Sequence, residues 1–264
     1  MNATLATTTG ATIAGVATFS PLRCYWLEAK HELLRLLRTP SFVLPTLLFP
    51  PLFYVLFGVL LGSRGGGDAA RYMLATYGVF GIMGAALFGF GVTIAVERER
   101  GFLTLKRALP MPPGAYLLAK MAMAMVFAAI ISVILALLAV TLAKVSLQPA
   151  QWALLLAVNV LGVLPFCAIG MCIGALVGGS AAPAVVNLLY LPMSFLSGLW
   201  LPLSILPAVF TKLAPVWPSY HLGQLALKVV DRDAGGSLAL HVGVLLVVTA
   251  ALFVLARTRL ARAT

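Results

Sequence analysis

The stretch ERERGFLTLKRALPMPP, residues 97–113, lies between two long apolar segments at residues 72–96 and 121–143. Six of its side chains are ionised, whereas only 9% of the whole chain is charged. Hydrocarbon rejects such a dense group of charges. We therefore expect the stretch to lie in water and to join two membrane-crossing helices. Its prolines end any helix rigidly, because proline lacks the N–H that a helix interior needs.

The composition of the chain is that of a membrane protein. Of its 264 residues, 62% are hydrophobic, and its mean hydropathy is +1.06, whereas soluble domains are about 45–50% apolar. Uncharged runs of about 20 residues have the length that an α-helix needs to cross a bilayer. The sequence therefore predicts an all-α, multi-pass membrane protein. The net charge of +11 fits basic loops beside a membrane and not a nucleic-acid partner.

Six spans and one surface helix are predicted after a flexible N-terminal tail at residues 1–19. Ser20 and Pro21 favour a helix start. Residues 20–38 then place apolar and basic side chains on different faces, which is typical of a helix lying in the membrane surface; an extension of the first span is the alternative. Residues 20–264 form one predicted domain. Its spans are expected near residues 41–61, 72–96, 121–143, 151–177, 183–203 and 238–256.

The distribution of basic residues predicts the orientation, because Lys and Arg collect on cytoplasmic loops. Twelve of the eighteen basic residues fall on one side: Arg23, Lys30, Arg35, Arg38, Arg98, Arg100, Lys106, Arg107, Lys120, Arg257, Arg259 and Arg262. We therefore predict that both termini are cytoplasmic. The long connection between the fifth and sixth spans is then external, and we expect part of it to re-enter the outer leaflet.

Motifs for catalysis are absent from the sequence. It has no Gly-Lys-Ser or Gly-Lys-Thr of a phosphate-binding loop and no Gly-x-Ser-x-Gly of a serine hydrolase. His31, His221 and His241 are scattered, so no metal site is predicted. No Asp or Glu lies well inside a predicted span, although transport driven by an ion gradient normally needs one. We expect no catalytic residue, metal or cofactor in this chain, so a partner must supply the energy for uphill transport.

Small and polar residues inside the spans are candidates for helix packing or for a translocation path. Gly170, Gly174 and Gly178 recur at intervals of four, which allows two helices to approach closely. Static packing and a moving or pore-lining interface are both open readings of this pattern. Asn159 and Asn187 could bond across helices or touch a substrate.

Two stretches resemble the membrane subunits of ABC-2 type transporters. The first has, in order, Glu97–Arg100, Gly101, Leu105–Arg107, Pro110 and Tyr-Leu-Leu-Ala-Lys at residues 116–120. The second is Leu-Pro-Met-Ser-Phe-Leu-Ser-Gly-Leu-Trp-Leu-Pro at residues 191–202. The extra Phe102 and Leu103 after Gly101 depart mildly from the Gly-Thr-Leu of that family, which leaves the register of the docking helix open.

The resemblance implies a permease in a bacterial inner membrane, paired with a second permease copy, expected to form a homodimer, and with two ATPase subunits that bind ATP and Mg. It assigns contact with the ATPase to Glu97, Arg98, Glu99, Arg100, Gly101, Leu105, Lys106, Arg107, Pro110 and Met111. The surface helix would support that contact through Trp26, Glu28, Glu32 and Arg35. The path would follow the dimer interface, built largely from the second and fifth spans, and its candidates are Asn159, Asn187, Ser194, Ser197, Gly198, Gly170 and Gly174.

The nearly uncharged spans favour a hydrophobic or amphipathic substrate, such as a drug, moved out of the cell. An exporter of lipid-linked glycans from the same family is the nearest alternative. Outside the family, the alternatives are a membrane enzyme acting on lipids and a passive channel. The enzyme would need convergent catalytic side chains at one interface, and the channel would need no docking loop.

Overall fold

The second span lies at the centre of the fold. A computed structural model describes residues 20–62, 67–108, 112 and 114–262, so the predicted tail at residues 1–19 lies outside the described residues. In the helical run Asp68–Glu99, 72% of the most apolar 18-residue stretch is buried, compared with 11% of the corresponding stretch in the last run, Leu238–Arg259. The described residues are helical throughout their regular elements and contain no β-strand, as the composition predicts.

The described residues form twelve α-helices. They are α1 (Pro21–Leu37), α2 (Pro40–Phe53), α3 (Asp68–Ala86), α4 (Thr93–Glu99), α5 (Phe102–Ala108), α6 (Ala115–Thr141), α7 (Pro149–Gly162), α8 (Leu164–Leu176), α9 (Ala182–Leu196), α10 (Ala208–Leu213), α11 (Pro218–Val229) and α12 (Leu238–Arg262). A π-helical segment, Tyr54–Leu61, continues α2, and a second one, Leu87–Val92, joins α3 to α4. Two 3₁₀ turns, Leu203–Ile205 and Ala214–Val216, flank α10.

Within the described part of the chain, five helical runs are long and apolar enough to cross a membrane: Pro40–Leu61, Asp68–Glu99, Ala115–Thr141, Pro149–Leu176 and Leu238–Arg259. The chain is therefore a multi-pass membrane protein. The other predicted span, residues 183–203, corresponds to α9, which has 15 residues and is about 22 Å long. It ends at Leu196, and the chain then turns at Gly198, whose φ is 75°. The helix boundary predicted at residue 203 is wrong, and the sixth crossing stays a prediction.

The fourth run differs from the single helix predicted at residues 151–177. α7 ends at Gly162 and α8 begins at Leu164, with Pro165 in its first turn. Because proline has no N–H to bond the preceding turn, the helix is interrupted there. Gly162 lies against α11, since a Cβ at this position would be 2.3 Å from Cδ1 of Leu222.

Helix α8 packs against the π-helical segment Leu87–Val92 through glycine backbones. A Cβ on Gly91 would lie 2.9 Å from the Cα of Gly170, and a Cβ on Gly174 would lie 2.8 Å from the Cβ of Ile94. Only glycine permits such an approach. Gly170 and Gly174 therefore make packing contacts inside one copy of the chain.

The connection before the last run folds back onto the bundle. α11 contacts α3, α7 and α12. His221 of α11 lies beside His241 of α12, with their Nδ1 atoms 2.9 Å apart, and both side chains are buried. These histidines are distant in sequence, and the fold brings them together. The bundle thus has an α11 end and, where α1 contacts α6, an opposite α1 end.

Candidate functional site

A cluster of polar and charged side chains lies at the α1 end, and all of its members except the exposed Arg35 are buried or partly buried. It consists of Glu32 and Arg35 from α1, Glu97 from α4, and Tyr116 and Lys120 from α6. Glu97 is 4% exposed and Lys120 is 0% exposed. We call these five residues the charge cluster. Buried ions are tolerated only when they are paired and hydrogen-bonded, and here two carboxylates face two cations.

Each charge in the cluster has more than one partner. Lys120 Nζ donates to the carboxylate of Glu32 and lies 3.4 Å from that of Glu97. Arg35 bridges the same two carboxylates, with 2.9 Å to Glu32. Tyr116 donates its hydroxyl proton to Glu97. Burial acts to lower the pKa of Arg35, but the two carboxylates outweigh it and raise that pKa above its ordinary value. The cluster therefore joins α1, α4 and α6.

The short helix α5 is attached to the charge cluster. Lys106 forms an ion pair with Glu28 of α1, and its Nζ lies 4.7 Å from the centre of the Tyr116 ring. Elsewhere on α5, three residues apart from each other, Phe102 is 46% exposed and Leu105 is 60% exposed. α5 is thus bonded to the bundle through Lys106 and leaves the apolar side chains of Phe102 and Leu105 without cover in a single copy of the chain.

The charged stretch before α5 divides between the interior and the surface. Arg98 donates to the carbonyls of Ala175 and Val177, the latter at 2.9 Å, at the C-terminal end of α8. A cation is favoured there, because the last carbonyls of a helix carry partial negative charge. Glu99 accepts a hydrogen bond from the backbone N–H of Gly179. Arg100 is exposed.

The prediction that this whole stretch faces water is therefore wrong for Glu97. The same holds for Lys120, counted among the loop cations but wholly buried. Both are retained in the interior because α1 supplies Arg35 and Glu32 as partners, 62 and 88 residues away along the chain. In the sequence, the one indication that Lys120 belongs to such a cluster was its spacing of four residues from Tyr116, because this spacing places both side chains on one face of a helix.

The remaining predicted coupling residues are placed as follows. Gly101 has a φ of 75° and separates α4 from α5. Pro110, Met111 and the side chain of Arg107 lie outside the described part of the chain. On α1, Trp26 is 62% exposed, with Lys30 Nζ 5.1 Å from its ring centre.

An aromatic cleft of about 390 Å³ lies between α2, α3 and α9. Seven aromatic rings and one amide are among its lining residues: Phe42, Phe49, Phe53, Phe80, Phe88, Tyr190, Trp200 and Asn187. The rings of Phe80 and Tyr190 stack with centres 5.0 Å apart. No Asp, Glu, Lys or Arg is among the described residues that line it. The cleft can therefore take an uncharged, flat or flexible apolar group.

Of the predicted path residues, Asn187 alone lines this aromatic cleft. Ser194 donates to the carbonyl of Tyr190 at 2.5 Å, and Ser197 donates to that of Met193 at 2.5 Å, so both hydroxyls are used inside the chain. The carbonyl of Gly198 accepts a hydrogen bond of 2.8 Å from Tyr72.

Asn159 lies on another side of α3. It is buried, and its amide nitrogen donates to Ser132 at 2.9 Å, while its Oδ1 has no hydrogen-bond partner among the described residues. Both side chains line a second cavity of about 270 Å³. This cavity shares no lining residue with the aromatic cleft.

Comparison with known proteins gives two matches. Residues 23–230 match the family model described as ABC-2 type transporter. Over 208 residues the chain is 29% identical to a protein of Bacillus subtilis (strain 168) described as a transport permease, YvfS. That alignment covers 78% of this chain and 84% of the Bacillus protein.

Proposed function

Because this chain belongs to the ABC-2 type transporter family, as the two sequence stretches indicated, we propose that it is the permease subunit of an ATP-driven exporter. Two copies would assemble with two separate ATPase subunits, since the sequence contains no phosphate-binding loop. The complex would move a hydrophobic or amphipathic molecule out of the cell across a bacterial inner membrane. Membership of a permease family already makes the chain a membrane transport subunit.

The apolar face of α5 is the observation that carries this proposal. Phe102 and Leu105 are exposed on a helix that the Glu28–Lys106 ion pair ties to α1. An apolar face beside a strongly basic membrane end fits docking into a cleft of a soluble protein. The charge cluster directly behind α5 would give the docked helix a firm connection to α4 and α6.

The topology that we propose has six crossings and both termini in the cytoplasm. The charge distribution supports it, because the α1 end holds the basic stretch Arg98–Arg107 and the surface helix. α9 would be the short fifth crossing. Its outward face, which includes Asn187, Leu188 and Leu191, would meet the second permease copy. α10 and α11 would form the external re-entrant segment.

The aromatic cleft supports the proposed class of substrate. Its described lining residues are apolar or neutral, which favours uncharged groups over a charged headgroup or a glycan, because desolvating a charge without a partner is costly. One amide, Asn187, is available at its mouth for a polar end of the substrate.

The test is purification of the tagged chain in mild detergent from its native membrane, followed by assay for a retained ATP-hydrolysing subunit. We expect one to be retained, and we expect Leu105→Ser to weaken its retention by roughly tenfold or more, because one buried leucine contributes about 1.5–3 kcal/mol. Leu213→Ser is the matched control, since Leu213 is also exposed but lies on α10. Failure to retain any ATPase subunit would refute the proposal, and equal retention in both variants would refute the role of α5.

A further inference from the structure

The second span contains a π-helical segment between its two α-helical parts. Leu87–Val92 separates α3 from α4 and includes Gly89 and Gly91. π-helical turns are rare, are weaker than α-helical ones and frequently occur at functional sites. Along the second span, this segment lies between Phe80, which lines the aromatic cleft, and Glu97 of the charge cluster, and its own Phe88 also lines that cleft.

One hydroxyl group connects this segment to the charge cluster. Thr93, the first residue of α4, donates to the carbonyl of Gly89 at 2.6 Å. The same hydroxyl oxygen accepts a hydrogen bond of 3.0 Å from Lys120 Nζ. A hydroxyl has one proton to donate and two lone pairs, so both bonds exist together. The ammonium group polarises the hydroxyl and strengthens its bond to the Gly89 carbonyl.

The position of Lys120 depends in turn on α1. Its Nζ is bonded to Glu32, and Glu28, one turn earlier in α1, is paired with Lys106 of α5. Two ion pairs joined by one turn of α1 therefore connect α5 to Lys120, and Lys120 is bonded to Thr93 beside the π-helical segment. The last link in this series of contacts is the Thr93 hydroxyl.

We propose that Thr93 and Lys120 are positioning residues that hold the π-helical turn of the second span, and that movement of α5 and α1 releases it and reshapes the aromatic cleft. Loss of a one-residue π-bulge shifts the register of a helix by one residue, which is a rotation of about 100°. Phe80 and Phe88 would then turn relative to α9.

This inference rests on the proposed export function. A movement of α5 driven by ATP hydrolysis would break or lengthen the Lys120–Thr93 bond. The hydrogen bond from the Thr93 hydroxyl to the Gly89 carbonyl would then weaken, and this carbonyl would favour the bonding pattern of an α-helix. Events at the α1 end would thereby change the shape of the aromatic cleft.

The test compares Thr93→Val, which removes the hydroxyl at nearly constant volume, with Thr93→Ser, which keeps it. The probe is an environment-sensitive dye attached to the cysteine of Asn187→Cys at the cleft. Cys24→Ser is added so that Cys24, which is partly exposed, does not react with the dye; Cys167 and Cys172 are buried. ATP hydrolysis and the ATP-dependent change in dye fluorescence are measured on the assembled complex. We expect Thr93→Val to hydrolyse ATP while its fluorescence change falls about tenfold, as for a lost hydrogen bond to a charged group. Thr93→Ser should retain the change.

Each other outcome counts against a stated part of the reasoning. An undiminished fluorescence change in Thr93→Val overturns the inference, as does an equal loss in Thr93→Ser, because packing would then explain the effect. If the Thr93→Val complex fails to assemble, Thr93→Ala replaces it, because alanine is smaller and cannot clash. If neither variant assembles while Thr93→Ser does, the hydroxyl is needed only for folding, and the inference is overturned. Hydrolysis without any fluorescence change when Thr93 is intact also overturns the inference alone. Absence of an ATPase subunit overturns the export proposal itself.

Discussion

Replacement of Lys120 by methionine tests how strongly the charge cluster holds the α1 end together. Lys120 is wholly buried and is bonded to Glu32, Glu97 and the Thr93 hydroxyl. Methionine keeps most of the side-chain volume but removes the charge and all three contacts. The two carboxylates would then share Arg35 as their only cationic partner within the cluster, which would carry one unbalanced negative charge.

The expected magnitude follows from the geometry. Removing one partner of a buried ion pair costs about 3–5 kcal/mol. Both carboxylates keep a bond to Arg35, so we expect the lower end of that range, about 3 kcal/mol. For a chain of this size, 1 kcal/mol shifts the Tm by about 2–4 °C, and the Tm should therefore fall by about 6–12 °C. Adding Glu32→Gln restores neutrality in the cluster and should recover part of this loss, because contacting residues are not additive.

The assay is thermal unfolding of the detergent-purified chain, followed by size-exclusion chromatography after heating. Lys228→Met is the matched control, because Lys228 pairs with Asp233 at 2.7 Å but is 36% exposed. An exposed ion pair is worth at most about 1 kcal/mol, so this control should lose under about 4 °C. The reasoning is refuted if Lys120→Met loses no more than Lys228→Met, or if the double variant shows no recovery.

Three further predictions concern the packing of the bundle and use the same thermal assay. Gly91→Ala should destabilise the folded chain by about 1–3 kcal/mol, because the new Cβ would overlap a neighbouring backbone. Gly243→Ala is the control and should not destabilise it, since a Cβ there meets nothing within 4 Å. Equal stabilities of the two variants would contradict the close approach at Gly91. His241→Leu should cost about 1–3 kcal/mol by leaving a buried nitrogen of His221 unpaired, and the double leucine variant should cost less than the sum of the two single changes; simple additivity would exclude the pairing. Tyr72→Phe should cost about 1 kcal/mol through its lost bond to the turn after α9, and an unchanged Tm would argue against that bond.

The sequence predicted the helical elements well because composition controls them directly. Apolar runs near 20 residues require helices in hydrocarbon. A helix is present where one was predicted at residues 20–38, as α1 (Pro21–Leu37), and its place in the membrane surface stays a prediction. The break at Pro165 also had a visible cause in the missing N–H of proline. The end of α9 was missed because the apolar run continues through Leu199–Leu203 after the helix has stopped at Leu196.

The charge density of residues 97–113 predicted a contact region, and its contact with a partner stays a prediction. A short helix, α5, lies within this stretch. The burial of Glu97 was not predictable from the sequence, because a carboxylate is expected to face water unless its partner is known. Its partner Arg35 lies 62 residues earlier in the chain, and no local sequence pattern predicts that pairing.

The sequence by itself determined the class of this protein and the approximate position of its helices. These follow from local chemistry: which residues hydrocarbon accepts and where proline stops a helix. The tertiary structure alone decided that Glu32, Glu97 and Lys120 meet in the interior beside the exposed Arg35, and that a π-helical segment linked to Lys120 through Thr93 also lines the aromatic cleft. Both depend on the free energy of contacts between distant segments, because a buried charge is stable only where the folded chain supplies its counterion.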